Sequence, residues 1–438
     1  MIELGPELRM HLKDGAFTRS GQIHPTALIV NDLLNHAQSA ASAARSLRDD
    51  FDIVTPEASR LLTAVSPSAI VQARAKILPS LWAAINQIIV DTLRCCGELS
   101  TFKGHLVSAV DGSILWGNKL ITAGFVDALI PALKDKYDKR QSGASPFLHQ
   151  LQAVMRYDPL NQIHLGHEIE LQLLSERDLL LPLLDEMSPG ELLLMDRGYP
   201  AAWLFVDLQR RGIEFLCRLR CDHSEAVEKF VASSETDAWL ELPIAYKSLI
   251  KLKDLQIPMP ASKTVRVRVV KVESGGRSLL LVTSLSAAKA NGDELADLYA
   301  GRWGIEKEIY TFKEPLELEA WRGFSRPGVL YDIGAKAAAY NLALLMAWPV
   351  RQELRARKLS GNGFRAVLCL TRALGELKPA LMPILGPRTS TLSSEQLILR
   401  YQNELRHKPS VIDPTRSNLI NSKRINPDRR NRSQKKAV

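Results

Sequence analysis

The feature that most constrains the fold is an alternation of strand-like and helix-like segments between residues 102 and 221. Short apolar runs such as Leu106–Val110 and Leu192–Met195 have the length and composition of buried strands. A helical segment from Ala201 to Arg211 connects the second of these runs to another strand, Phe215–Arg220. Strands that alternate with helices predict an α/β layer fold, in which helices cover a sheet.

Two more strands and a helix are expected between the aspartates that end these apolar runs. Leu148–Tyr157 and Gln162–His167 have strand patterns, and a helical pattern extends from Ile169 to about Glu186. We therefore expect Asp111 and Asp196 each to close a strand, because a turn-forming glycine follows each of them closely.

The block from 222 to 290 is β-rich and interrupts the α/β pattern. Val265–Val272 alternates with period two, and Gly275-Gly276 predicts a hairpin turn into Ser278–Thr283. Helical patterns return from Asp293 onward.

The first hundred residues have helical periodicity and a candidate DNA-reading helix. Ser66 and Pro67 have the residue types of an N-cap and a first helical position, and the helix that follows carries Arg74 and Lys76. A short basic helix after a turn is typical of a helix-turn-helix recognition helix. The alternative is an amphipathic helix in a small bundle, and the sequence leaves both open.

The net charge indicates an anionic partner. The chain of 438 residues carries a formal charge of +9, and basic residues outnumber acidic ones sharply after residue 422. That tail either contacts phosphates or is a solvated, disordered end. No apolar run approaches the roughly 20 residues that cross a bilayer, and no secretory signal pattern begins the chain. We therefore expect a cytoplasmic protein with no membrane partner.

The most informative segment contains Tyr299, Arg302, Glu306 and Lys313. On a single helix the last three lie at about 300°, 340° and 320° from Tyr299, so all four share one stripe. A carboxylate between two cations and a phenol suits a site where a metal ion meets phosphates. The alternative is an exposed face with an Arg302–Glu306 ion pair at i, i+4.

Asp111, Asp196 and Glu306 together predict a metal site. Carboxylate oxygens are hard ligands that suit Mg²⁺ or Mn²⁺ and leave coordination positions open for water and phosphate. Either aspartate alone is better explained as a turn former, and only the combination with the Glu306 segment favours a metal site.

These motifs resemble the bacterial DDE transposases of insertion-sequence family four, whose signature is Tyr-x2-Arg-x3-Glu-x6-Lys. Tyr299, Arg302, Glu306 and Lys313 match it without a gap. Val110-Asp111-Gly112-Ser113 resembles the first-aspartate motif, with Gly-Ser in place of the frequent Gly-Thr, and Leu194–Tyr199 resembles the second.

The resemblance implies a cut-and-paste transposase that binds the inverted repeats at its element's ends. Asp111, Asp196 and Glu306 would be catalytic and would hold two Mg²⁺ or Mn²⁺ ions per active site, and Tyr299, Arg302 and Lys313 would contact DNA. Partners would be double-stranded DNA, both element ends and target, and a second copy in a homodimer. Cleavage would release a 3′-hydroxyl, pass through a hairpin and end in joining to target DNA. The protein would be bacterial and nucleoid-associated when bound.

The implied fold is a ribonuclease-H-like core with a β-rich insertion and helical flanking regions. The predicted divisions are a helical N-terminal DNA-binding domain at 1–100, the core in two parts at 101–221 and 293–350, the insertion at 222–292, a helical C-terminal region with possible dimer contacts at 351–405, and a basic disordered tail at 406–438.

Two other functions share much of this pattern. A catalytically silent derivative acting as a repressor or inhibitor would keep the charge and the helices but would tend to lose the carboxylates. A metal-dependent nuclease would cut without joining. Some relatives stack a tryptophan of the insertion on a flipped base, and Trp239, which lies far before the hairpin, is not assigned that role.

Overall fold

A computed structural model describes most of the chain, and its contacts divide the chain into two compact units. The described residues are 5–17, 23–35, 42–43, 66–142, 149–274, 277–356, 365–385 and 391–412. The helical unit comprises Met1–Gly97, Trp116–Gln150 and Tyr310–Val438, and the sheet unit comprises Glu98–Leu115 and Leu151–Ile309.

The described residues alternate between helices and strands along most of the chain. The helices are α1 (Pro6–Arg9), α2 (Pro25–Leu34), α3 (Pro67–Arg74), α4 (Ser80–Cys96), α5 (Lys119–Val126), α6 (Pro131–Gln141), α7 (Glu176–Asp185), α8 (Ala202–Arg211), α9 (Glu225–Ala232), α10 (Tyr246–Asp254), α11 (Gly292–Gly301), α12 (Gly304–Lys313), α13 (Arg326–Met346), α14 (Trp348–Ala356), α15 (Leu370–Leu385) and α16 (Ser394–His407). The strands are β1 (Val107–Trp116), β2 (Gln150–Asp158), β3 (Ile163–Leu171), β4 (Leu192–Met195), β5 (Glu214–Arg218), β6 (Asp237–Pro243), β7 (Thr264–Ser274), β8 (Arg277–Thr283), β9 (Arg365–Val367) and β10 (Ser410–Ile412).

The sheet unit is built on eight strands, among the residues described, in the order β3-β2-β1-β4-β5-β8-β7-β6. β1, β4 and β5 are parallel neighbours, and β2 with β3 forms an antiparallel pair. All four residues of β4 are buried, as expected of a central parallel strand covered on both faces. Phe205 of α8 stacks on Phe215 of β5 with ring centroids 4.8 Å apart, which places α8 over this sheet. The predicted α/β layer fold is confirmed.

The β-rich block extends the same sheet. β8 pairs antiparallel with β5, β7 pairs with β8, and β6 pairs with β7 at the edge. Ser274 opposes Arg277 in the β7–β8 register, so two residues separate the paired ends as the predicted hairpin requires. Gly275 and Gly276 themselves lie outside the described residues. Helices α9 and α10 also fall in this block, which the strand patterns did not predict.

Two boundaries between 106 and 186 differ from the sequence prediction. β1 does not close at Asp111 but continues to Trp116, because Gly112-Ser113 adopts extended rather than turn backbone. The helix predicted from Ile169 begins only at Glu176: β3 continues to Leu171, and Ser175 caps α7 in a reciprocal capping box with Asp178.

The helical unit packs around α13, whose 21 residues are mostly buried, and α4 lies along it. Gly334 of α13 permits the close approach, since a Cβ there would lie 2.6 Å from Cβ of Trp82 on α4. β9 and β10 form a separate antiparallel pair in this unit. No helix among the described residues has the length and apolarity to cross a membrane.

Between residues 26 and 100 the described elements are the helices α2, α3 and α4, whereas the C-terminal region, predicted to be helical, also contains strand β9, which pairs with β10. Ser66 is the N-cap of α3, and its hydroxyl accepts a hydrogen bond from Ala69 N at 3.2 Å, as predicted. The predicted basic disordered tail lies almost entirely outside the described residues, which end at 412.

Candidate active site

The register of the parallel strands brings the two aspartates together. β1 and β4 pair from Val107↔Leu192 to Val110↔Met195, and that last pair is followed at once by Asp111 and Asp196. Both carboxylates therefore lie where the β1–β4 ladder ends, which agrees with the expected placement although β1 itself runs on. Both side chains are half-buried.

The segment with the remaining signature residues is two helices rather than one. α11 ends at Gly301, Arg302 and Trp303 form a tight turn, and α12 begins at Gly304. Bonds of the i→i+3 type close this turn, including Ile305 N to Arg302 O at 3.0 Å. The single-helix stripe predicted from the sequence is therefore wrong in its geometry.

The break nevertheless leaves three of the signature side chains around the aspartates. Arg302 is buried and donates to Asp111 Oδ2 at 3.3 Å and to Glu306 Oε1 at 3.1 Å. The Tyr299 hydroxyl donates to Asp196 Oδ1 at 3.3 Å. The sheet unit thus gathers Asp111, Asp196, Tyr299, Arg302 and Glu306 in one place.

Gly304 allows α12 to begin close to the sheet. A Cβ at this position would lie 3.3 Å from Cε1 of Tyr157, tighter than ordinary contact, and 3.4 Å from Cβ of Pro159. Packing against the sheet therefore explains why glycine stands at the start of α12 despite its low helix propensity. Gly301 has no such neighbour among the described residues.

Burial shapes the electrostatics of the site. It raises the pKa of the Asp111 carboxyl to about 6, against the opposing effect of Arg302 and with a further upward contribution from Asp196. One guanidinium therefore offsets only part of the negative charge that these carboxylates bring together.

A fourth carboxylate, Glu176, lies in the same place and was missed by the sequence analysis. It is the first residue of α7, and its side chain packs against Gly112, beside Asp111. Burial raises the pKa of Glu176, the interaction with the Tyr199 hydroxyl opposes that shift, and Asp196 raises the pKa further. Its only sequence signal is a glutamate one residue after a Ser N-cap, which is too common to single out.

Lys313 ends α12 and belongs to the helical unit. It is half-buried, burial lowers the pKa of its ammonium, and Glu319 and Glu314 of the same unit oppose that shift.

The two residues predicted to contact DNA on α3 and just after it have different placements. Arg74 is 8% exposed, and its Nε donates to the fully buried Asp32 at 2.8 Å. Tyr331 and Arg322 also contact Asp32, so Arg74 is part of a buried ion-pair cluster. That placement corrects its expected role, because a guanidinium held inside the core is not presented to phosphates. Lys76 is exposed.

The donor set fits hard divalent cations. Asp111, Asp196, Glu306 and Glu176 offer only carboxylate oxygens, the ligands that Mg²⁺ and Mn²⁺ prefer. Within the described part of the chain, no three His, Cys, Asp or Glu side chains already converge on one point. Ion binding therefore requires side-chain rotation, including release of Asp111 and Glu306 from Arg302.

Comparison with known protein families identifies the family to which this chain belongs. The sequence model of the family described as "Transposase DDE domain" matches residues 103–342, more than half of the chain. The protein belongs to this family of DDE transposases.

A solved structure is also similar, and no curated protein matches. The structure is the piggyBac transposase synaptic complex with hairpin DNA, determined by cryo-EM. The similarity has a TM-score of 0.41 at 10% sequence identity and covers 91% of this chain and 80% of that one. A search of curated proteins found no match.

Proposed function

We propose that this DDE transposase is a cut-and-paste enzyme of the Tyr-Arg-Glu-Lys group of bacterial insertion sequences. It binds the terminal inverted repeats of its own element, cleaves there and joins the freed 3′-hydroxyl ends to target DNA. The observation that carries the proposal is that Arg302 donates to both Asp111 and Glu306, while Asp196 follows the β4 residue paired with Val110, which precedes Asp111.

Three carboxylates are proposed as the catalytic and metal-binding groups. Asp111, Asp196 and Glu306 would hold two Mg²⁺ or Mn²⁺ ions. Bound ions of this kind neutralise charge on the reacting phosphate and lower the pKa of an attacking water.

The neighbouring polar side chains have roles that follow from their contacts. Arg302 contacts Asp111 and Glu306, and on release it would donate to phosphate oxygens at the cut, where its planar fork matches their geometry. Tyr299, whose hydroxyl contacts Asp196, would orient a phosphate oxygen or the attacking water. Lys313 and the exposed Lys76 are proposed as DNA contacts through their positive charge.

The reaction proposed for this site is phosphoryl transfer in successive steps. Water attacks phosphorus and the P–O3′ bond breaks, which leaves a 3′-hydroxyl at the element end. That hydroxyl then attacks phosphorus on the opposite strand, where the P–O3′ bond to the flanking DNA breaks as the hairpin forms. Water reopens the hairpin at the new P–O bond, and the regenerated 3′-hydroxyl joins target DNA as a P–O3′ bond of the target breaks. We further propose that a homodimer pairs the two ends. The order of strands from β3 to β5 supports a ribonuclease-H-like core for this chemistry.

The test is end cleavage by purified protein. DNA carrying the sequences that flank the gene is incubated with and without Mg²⁺ and analysed on a denaturing gel. We expect metal-dependent breaks and hairpins, both abolished in Asp196→Asn. Asp254→Asn, the same chemical change at an exposed position of α10 in the same unit, is the matched control and should cleave normally. Binding without breaks in either Mg²⁺ or Mn²⁺ would contradict the proposal and indicate a catalytically silent DNA-binding derivative.

A further inference from the structure

Glu176 lies against the backbone of the residue that follows Asp111. A Cβ added to Gly112 would lie 2.1 Å from Cδ and 2.2 Å from Oε1 of Glu176, a distance that no real Cβ tolerates. The carboxylate therefore occupies the space that any other side chain at position 112 would fill. Glycine after the first aspartate is needed for this approach, and not for a turn, because β1 continues through it.

The surroundings of Glu176 leave its charge poorly satisfied. Its Oε1 accepts one long hydrogen bond, 3.3 Å, from Nε2 of Gln152 on β2. Asp111 and Asp196 are close enough to interact with it electrostatically, and both carry the same sign of charge. Like charges gathered in a half-buried place are unfavourable unless a cation joins them.

Tyr199 gives a second indication that this place suits a ligand. Its side chain is 1% exposed and faces Glu176, Asp111 and Asp196. Its hydroxyl interacts with the Glu176 carboxylate, but no described residue meets it with full hydrogen-bond geometry. A buried hydroxyl without such a partner costs free energy, so a phenol held here suits a site that gains a ligand or its bound water.

We propose that Glu176 is a fourth carboxylate ligand of the divalent-ion site, completing the coordination that Asp111 and Asp196 begin. Gln152 is its positioning residue, since its amide holds one carboxylate oxygen and leaves the other to turn toward the ion. Tyr199 donates to the Glu176 carboxylate or to an ion-bound water. This inference rests on the proposed metal-dependent function and adds one residue to its site.

The test measures ion binding rather than DNA cleavage. Full-length protein bound to its element-end DNA is titrated with Mn²⁺, and free Mn²⁺ is followed by electron paramagnetic resonance. We expect Glu176→Gln to weaken the tightest binding by about 10- to 100-fold, the range typical for loss of a group that supports a metal site. Glu228→Gln, at an exposed position of α9, is the matched control and should bind as the wild type does.

A second variant separates loss of a ligand from loss of the fold. Gly112→Ala keeps every carboxylate but displaces Glu176, so it should weaken Mn²⁺ binding in the same way. The thermal unfolding temperature of Glu176→Gln in metal-free buffer should equal or exceed that of the wild type, because a repulsion is removed.

The outcomes distinguish this inference from the function on which it rests. Unchanged Mn²⁺ binding in Glu176→Gln, while Asp196→Asn abolishes it, would overturn the role of Glu176 and leave the proposed function standing. Unchanged binding in Asp196→Asn as well, or no binding by the wild type, would overturn both.

Discussion

His164 of β3 and Glu308 of α12 are joined by a hydrogen bond of 2.8 Å between Nδ1 and Oε1, and both side chains are fully buried. Glu308 stands two residues after Glu306, so this bond ties the helix that carries the proposed metal ligand to the sheet. The Nε2 atom of His164 continues to Nδ1 of His167 at 3.0 Å, which anchors the contact within one strand.

Loss of this anchor should cost both stability and catalysis. In His164→Ala the Glu308 carboxyl loses its partner inside the core, so the free energy of unfolding should fall by about 1–3 kcal/mol, the cost of leaving a buried polar group unsatisfied. Urea unfolding of the wild type and of His164→Ala measures this difference. End cleavage should fall as well, because α12, which carries Glu306, is no longer fixed against the sheet that carries Asp111 and Asp196. Equal stability of variant and wild type would show that the bond is not needed.

The same pair of histidines should make the protein sensitive to acid. Burial lowers the pKa of His167 to about 4 and that of His164 well below its ordinary value. Between about pH 6.5, the unfolded value, and pH 4 the unfolded state therefore binds more protons than the folded state. Stability should rise with pH through this window, by at most about 1.4 kcal/mol per pH unit for each histidine, and should be lost as pH falls.

A substitution isolates the contribution of His167 from the other titrating groups. Replacing it in His167→Gln should make the dependence of unfolding free energy on pH shallower between 4 and 6.5, as measured by denaturant unfolding at a series of pH values. His407→Gln, at an exposed position in α16, controls for the chemical change itself. An unchanged slope in His167→Gln would contradict the assignment.

Arg74 and Lys76 should differ in the property they control, although only one residue separates them. Arg74→Ala leaves Asp32 buried with fewer cations around it and should destabilise the protein by about 3–5 kcal/mol. Lys76→Ala at the exposed position should leave the thermal unfolding temperature nearly unchanged and weaken binding to element ends, with a smaller salt dependence. Unfolding by urea and binding by fluorescence anisotropy separate the two effects. Loss of DNA affinity in a stable, folded Arg74→Ala would instead support a direct contact.

The sequence predicts those features that depend on local pattern. Apolar runs locate β1 and β4, and both aspartates follow the paired residues of those strands, although the pairing itself is known only from the structure. The period-two pattern likewise predicts the β7–β8 pairing. The helix and strand patterns are therefore sufficient to predict the α/β fold class.

Features that depend on distant partners could not be predicted in the same way. Arg74 has the appearance of a DNA contact until Asp32, 42 residues earlier, is seen to bind it. Glu176 enters the site only because Gly112, in another element, leaves room for it. The turn at Arg302 breaks an apparently continuous helix, and helical periodicity does not show where such a break falls.

Arg302→Lys tests whether the contact with two carboxylates matters beyond charge. A lysine keeps the positive charge but has a single ammonium, so it does not hold Asp111 and Glu306 through separate arms of a planar fork. We expect the rate of end cleavage to fall by about 100-fold, the scale of losing one preorganised donor at a reacting centre. Single-turnover kinetics at saturating Mg²⁺ measure this rate, and Arg400→Lys, at an exposed position of α16, is the control. Cleavage at the wild-type rate in Arg302→Lys would mean that only the charge at this position is used, and that the fork geometry has no part in the reaction.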